Sequence, residues 1–229
     1  MRKIITSLLL IIFWSNIIGQ KVHILSKGVH SDSSYYCIEK ITENEFWIGG
    51  ESGILKKIDS LGNINTINFP NKGIDILKIK RINNYVFLIT SNAVIYRYDI
   101  DESIFIEKEF PQFKNKCFYD IMELQDGNVL VCGGASGIAK GRKVVPKGFI
   151  ATLNQDLNNI RVVWKCYRKF VWSLLENKNQ KSLGFTFNGL NTRIIQSDNL
   201  LKWRNQLKIK GLVHNTILVD NHIWYCGTK

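Results

Sequence analysis

Apolar residues along this chain gather into short runs separated by turn-forming residues. Phe46-Trp47-Ile48, Tyr85 to Ile89, Val129 to Cys132, Ser182 to Phe187 and His222 to Cys226 are such runs. Most are continuous and not alternating, the pattern of strands covered on both sheet faces. An Asn-containing turn precedes each, at Asn44, Asn84, Asn128, Asn179 and Asn221, spaced by 40, 44, 51 and 42 residues. An Asp follows the next apolar segment at Asp59, Asp99, Asp156 and Asp198. Asn and Asp suit tight turns because their side chains bond nearby backbone and tolerate left-handed conformations. Phe170 to Glu176 is the best helical candidate and is too short to establish a helix.

The pattern is a repeat. Gly49-Gly50-Glu51-Ser52-Gly53-Ile54 returns as Gly133-Gly134-Ala135-Ser136-Gly137-Ile138, with five identities in six. Phe46 to Asp59 also aligns without a gap on Val86 to Asp99, apolar on apolar, although only the Asp is shared. Each unit reads as four strands joined by short turns. Four antiparallel strands per 40 to 50 residues is the signature of a propeller blade. The expected fold is therefore an all-β propeller with blades at about 34–70, 71–111, 112–167 and 168–211 and part of a fifth at 212–229. Phe69-Pro70 and Phe110-Pro111 close the first two units, since Pro ends a strand without offering a ladder donor. Four blades and two strands do not close a ring, even if Val22 to Ser26 supplies an outer strand. The expectation is an open arc, the N-terminal part of a longer propeller, whose uncovered edges favour self-association.

Two segments carry a family resemblance. Phe46-Trp47-Ile48-Gly49-Gly50-Glu51-Ser52-Gly53-Ile54-Leu55 resembles the propeller repeats of bacterial periplasmic sensor proteins. Gln196-Ser197-Asp198-Asn199-Leu200-Leu201-Lys202-Trp203 resembles the Asp-box of sialidase-like and photosystem-assembly-like propellers. Asp198 and Trp203 keep the box spacing, while Gln196 and Leu200 replace its Ser and Gly. The resemblance implies structural roles, with the Asp ordering a turn and the Trp packing between strands. Trp47, Gly49, Gly50, Gly133 and Gly134 are likewise expected to be structural.

The N-terminus changes the picture of where the protein works. Arg2 and Lys3 precede an apolar stretch from Ile4 to Trp14 and a small Gly19. This is the layout of a signal peptide over 1–19, leaving a propeller domain over 20–229. The stretch is shorter than the ~20 residues a span requires, so no membrane span is expected in the mature chain. Export places the protein in the periplasm, at the cell surface or outside. Loss of the leader lowers the net charge from +12 to +10. That balance permits association with acidic polymers, but the lysines are scattered and export argues against nucleic acid.

Candidate chemistry is sparse. The five cysteines read as small buried hydrophobes, with Cys37 and Cys117 at equivalent first-strand positions and Cys132 and Cys226 at equivalent second-strand positions. The histidines lack metal-ligand spacing, so neither metal nor cofactor is expected. Gly133 to Gly137 completes neither a nucleophile elbow nor a phosphate loop. Sialidase-type chemistry would need an arginine cluster and a carboxylate or Tyr nucleophile, and the arginines are dispersed. One insertion breaks the repeat: Ala139 to Lys147 lies between the second and third strands of unit three and carries Lys140, Arg142, Lys143 and Lys147. Second-to-third-strand loops and interblade connections emerge on one face, so these four cations form the candidate binding loop for an acidic partner. The functional expectation is a non-catalytic scaffold binding a protein or acidic glycan, with the sensing part of a longer signalling protein as the alternative and a glycan-processing enzyme as the weaker one.

Overall fold

The computed structural model describes residues 34–135, 147–176, 182–188, 190–219 and 222–228. The leader, Val22 to Ser26, Lys140, Arg142, Lys143, Asn179 and Asn221 lie outside these residues. The chain forms four four-stranded antiparallel sheets and one two-stranded sheet, each an up-and-down meander. The first sheet contains β1 (Tyr35–Thr42), β2 (Glu45–Gly50), β3 (Leu55–Asp59) and β4 (Ile64–Thr66), and the second β5 (Ile76–Ile82), β6 (Tyr85–Thr90), β7 (Val94–Asp99) and β8 (Ile104–Glu109). The third contains β9 (Lys116–Glu123), β10 (Val129–Ala135), β11 (Lys147–Leu153) and β12 (Arg161–Tyr167). The fourth contains β13 (Phe170–Glu176), β14 (Ser182–Phe187), β15 (Asn191–Ser197) and β16 (Arg204–Lys210). β17 (Leu212–Val219) and β18 (His222–Thr228) make the last sheet. This is a propeller of four full blades followed by a two-stranded sheet.

Apolar layers between consecutive sheets form the core. Trp47 and Leu55 of the first blade meet Ile76, Ile79, Val86 and Leu88 of the second. Phe87, Ile89 and Ile95 of the second meet Phe118, Ile121 and Val131 of the third. Met122, Leu130 and Cys132 then face Val171 and Leu174, and Leu183 and Phe185 face Val213. Successive residues of β6 thus serve opposite layers, which explains its unbroken apolar sequence. The outward faces of the two end sheets differ. Ile38 on β1 is 49% exposed, whereas its counterparts Ile79 and Ile121 are buried. Trp224 on β18 is 56% exposed, although it holds the register position of the buried Trp47.

Two sequence alignments are corrected by the ladders. Gly49 pairs with Cys37 and Gly133 with Phe118, but the first-strand irregularity that marks phase lies beside Gly49 in one blade and beside Cys132 in the other. Cys132, and not Gly133, therefore matches Gly49. The repeated hexapeptide is offset by one residue, and a one-residue offset exchanges the two faces of a strand. The same phase separates Cys37 from Cys117 by three positions, while Cys132 and Cys226 do correspond. Asp156 also departs from the expected turn role. Asn154 Oδ1 accepts the Asn158 N–H at 2.7 Å to close that turn, and Asp156 instead pairs with Arg97 Nη1 at 2.7 Å. Asp59 and Asp99 do close their turns, accepting backbone N–H groups two to four residues on.

Candidate functional site on the axis and loop face

Every first strand carries a register shift near its start: between Tyr35 and Cys37, Ile76 and Lys78, Phe118 and Asp120, Val171 and Ser173, and Val213 and Asn215. A bulge re-aims the residue beside it. The position after each bulge holds Cys37, Lys78, Asp120, Ser173 and Asn215. Four of these reach the neighbouring blade. Cys37 Sγ lies 3.7 Å from the Ile76 carbonyl oxygen. Lys78 Nζ lies 3.5 Å from Asp120 Oδ1. Asp120 Oδ2 accepts the Ser173 hydroxyl and the Leu174 N–H, both at 2.9 Å. Ser173 Oγ then stands 3.1 Å from Thr216 Oγ1. With the Ser173 proton committed to Asp120, the Thr216 hydroxyl is the donor. A polar relay therefore runs from blade to blade along the innermost strands.

Asp120 is the anchor of this relay. It is 3% exposed, and its Oδ1 also accepts the Ile121 N–H at 2.9 Å. A buried carboxylate holding three N–H or O–H donors and an ammonium is fully satisfied. For Lys78, burial is the largest single influence and opposes the charge, but the nearby acidic groups together, Asp120 foremost and Glu39 after it, outweigh it, so the lysine pKa rises above its ordinary value. Burial pushes the Cys37 thiol up to about 12, and Cys132, opposite Asp120 in the ladder, well above its usual range. These thiols are inert packing groups at neutral pH.

The bulged residues themselves include Tyr36, Tyr119 and Trp172. Tyr119 and Trp172 stack with centroids 4.7 Å apart and planes at 29°. Phe170 sits 5.9 Å from Tyr119 and 6.0 Å from Trp172. The three form a half-buried aromatic step between the third and fourth blades at the loop end of the axis. Burial raises the Tyr119 phenol well above its ordinary pKa. The step rests on backbone without side chains, since a Cβ on Gly134 would lie 2.4 Å from Phe170 Cβ.

Of the candidate binding loop, Lys147 is the described member, exposed at the start of β11. It stands in a row of lysines that sequence inspection misses. Lys116 pairs with Ala135, Lys147 with Tyr167 and Lys165 with Phe149, at the loop end of the third blade. Lys116 Nζ lies 5.3 Å above both the Phe113 and Phe149 rings, which stack 4.3 Å apart. Burial, then Lys165 and Lys147, lower the Lys116 pKa. Among the described residues, no ion pair involves any of the three. The row presents positive charge that its own sheet leaves uncompensated.

The Asp-box segment has a defined turn. Asn199 Oδ1 accepts the Leu201 N–H at 3.1 Å, and Trp203 Nε1 donates to the Leu200 carbonyl at 3.0 Å. Leu200 adopts φ 62°, left-handed geometry at the position where the box has Gly. Trp203 is half-buried against Trp164 and the layer between the third and fourth blades. Trp47 is buried and donates to Glu45 Oε1 at 2.7 Å. A Cβ on Gly50 would fall 2.2 Å from the Ser34 carbonyl, and one on Gly133 2.1 Å from that of Cys117. A Cβ on Gly49 would come 2.6 Å from the Ile76 side chain.

No known protein family and no curated protein matches this sequence. Solved structures do. One is the extracellular domain of a protein described as a hybrid two-component system of B. thetaiotaomicron, at 15% identity and a TM-score of 0.62 over 88% of this chain. Puromycin hydrolase matches at 10% identity and a TM-score of 0.60 over 86% of this chain. A protein of unknown function from Bacteroides caccae matches at 16% identity and a TM-score of 0.53 over 79% of this chain. At these identities the likeness is one of fold. The fold is a β-propeller. This chain spans 27%, 36% and 63% of those three structures respectively. The extracellular domain of a two-component system and a hydrolase share the architecture, so function rests on the site and not on the fold.

Proposed function

We propose that this chain is the recognition propeller of an exported protein, a non-catalytic scaffold that holds an acidic protein or glycan on its loop face. The supporting observation is the row Lys116, Lys147 and Lys165, which shares one edge of one blade and has no carboxylate among the described residues to neutralise it. Aromatic rings beneath Lys116 hold its ammonium in place by cation–π attraction. The relay through Asp120 serves the scaffold. A carboxylate occupied on both oxygens acts as a clamp between blades and not as a free acid or base. The degenerate Asp-box around Asp198 and Trp203 fits the same reading as a structural turn. Export with cleavage near Gly19 completes the proposal, and an intact mass from the native host retaining Met1 would refute that part of it.

The binding test uses dextran sulfate as an acidic probe. Retention on the immobilised polymer should fall as salt rises, because screening shortens to ~8 Å at physiological ionic strength. The double variant Lys116→Glu/Lys165→Glu should elute at distinctly lower salt with unchanged circular dichroism. Co-elution with the parent would remove the lysine row from the reading. A second reading, the extracytoplasmic part of a signalling protein, is favoured by the match to the extracellular domain of a protein described as a hybrid two-component system. It requires the same loop face to couple ligand to a further domain.

A further inference from the structure

Arg193 breaks the repeat at an apolar position. In the full blades the residue after the first-strand bulge pairs with Gly49, Ile89, Cys132 and Phe185, which pair in turn with Leu55, Ile95, Ile150 and Ile194 on the third strands. The residues just before those four are Ile54, Val94, Phe149 and Arg193. Val94 and Phe149 are buried in the layer toward the preceding blade. Arg193 holds the same position toward the third blade, since its neighbour Ile194 packs in the opposite layer with Val213. Its Nε is buried and, among the described residues, has no hydrogen-bond partner. A buried donor left unpaired costs stability, so a guanidinium where the other blades place apolar side chains requires a reason.

The surroundings supply one. Arg193 pairs with Lys208 and Asn191 with Lys210 in the ladder, so the three cations share one sheet face. Leu190, Asn191, Lys208 and Lys210 line an open cleft of about 510 Å³ at the loop end of the fourth blade. Among the described residues, no carboxylate pairs with Arg193, Lys208 or Lys210. The blade's own carboxylates are remote, because Glu176 ends β13 and Asp198 follows β15, both at the opposite end from Lys210. Three like charges repel one another, and an anion seated among them removes that cost. A guanidinium grips a carboxylate through two parallel N–H···O bonds. Leu190, 74% exposed at the rim, offers an apolar surface that a bare inorganic ion could not use. We propose that this cleft binds a small organic polyanion, carboxylates on a short hydroxylated carbon frame, with one carboxylate on Arg193 and the rest of the charge against Lys208 and Lys210. The lysine row is a separate site. It faces the second blade, as Phe149 opposite Lys165 does, so the cleft stands without it.

That chemistry occurs in free polycarboxylates and in acidic sugar residues, for which citrate and digalacturonate are the probes. Isothermal titration of the whole chain at low salt should show one probe molecule bound per chain with a Kd below about 1 mM. Binding of citrate alone assigns the cleft to a free acid, and of digalacturonate alone to a sugar residue; either supports the site. Arg193→Leu gives the fourth blade the apolar residue of the others, so the chain should fold with an unchanged or higher Tm. Its affinity for the bound probe should fall about tenfold or more, the loss of a charge-assisted pair. Arg193→Lys keeps the charge without the fork and should recover only part of that loss. If Arg193→Leu fails to fold, Lys208→Gln/Lys210→Gln reads the same cleft from exposed positions and should also weaken binding. Lys116→Glu/Lys165→Glu should bind the probe as the parent does, and loss of binding there would overturn a separate site. No binding of either probe at about 10 mM, well above the expected Kd, would overturn the proposal. So would equal affinity in folded Arg193→Leu, or sulfate binding as tightly as the probes at matched ionic strength.

Discussion

Replacing Asp120 with Ala should test whether the axial relay holds the blades together. The substitution removes the acceptor of the Ser173 hydroxyl and the Leu174 N–H, both at 2.9 Å and both buried. Hydrogen bonds to a charged group contribute about 1.5–3 kcal/mol each, and a buried donor left without a partner costs about 1–3 kcal/mol. Lys78 loses its counter-charge as well, but its side chain is 26% exposed and regains water, so the ion pair adds little. The net cost is about 3–4 kcal/mol, equivalent to a fall in Tm of roughly 6–16 °C for a chain of this size. Differential scanning calorimetry reads the change. Ser173→Ala should cost less in the Asp120→Ala background than in the parent, since coupled residues are not additive. The raised Lys78 pKa fixes the sign of the pH dependence. Its stabilising contribution is fully present below the unfolded lysine value of 10.5 and is lost as pH rises through the higher folded value. Asp120→Ala should shrink that alkaline component. A Tm within 2 °C of the parent, or additive costs in the double variant, would show that the relay is incidental to stability.

Two further outcomes follow from the same geometry. Gly134→Ala should destabilise the chain by about 1–3 kcal/mol by overpacking, because its Cβ would meet the Phe170 Cβ at 2.4 Å; altered near-UV dichroism from the Tyr119–Trp172 step should accompany the lower Tm. In the folded protein at pH 8, thiol titration should modify Cys226 rapidly and leave Cys37 and Cys132 unreacted until denaturant is added, since burial holds the latter two far above their ordinary pKa. Rapid modification of all five thiols without denaturant would contradict the packing described for the first strands.

The strands were legible in the sequence because a buried strand must be apolar on both faces, and Tyr85 to Ile89 could satisfy no exposed alternative. The register was not. Identity between the Gly49 and Gly133 segments outweighed the subtler fact that Trp47 and Leu130 face the next blade while Val131 faces the previous one. Bulges leave little trace in a sequence, since the bulged positions hold residues as different as Tyr36, Leu77 and Trp172. A signal for the relay was nevertheless present. Lys78, Asp120 and Ser173 interrupt apolar first strands at intervals of 42 and 53 residues, close to the blade period, and a charged group in such a setting calls for a partner. The lysine row was illegible for a different reason. Lys116, Lys147 and Lys165 lie on three strands and become neighbours only through the ladder, so inspection settled on the contiguous cations of the adjoining loop.

The relay also gives the stack of blades a gradient of cohesion. Its links differ in strength: a thiol against a carbonyl from the first blade to the second, an ammonium against a carboxylate from the second to the third, charge-assisted bonds from the third to the fourth, and a hydroxyl pair beyond. In a stacked array, stability is approximately a sum of unit terms and nearest-neighbour couplings. Within the relay the strongest links flank the third blade, so its two joints should be the hardest to open. The third blade, which also carries the lysine row, would be the last to lose its shape.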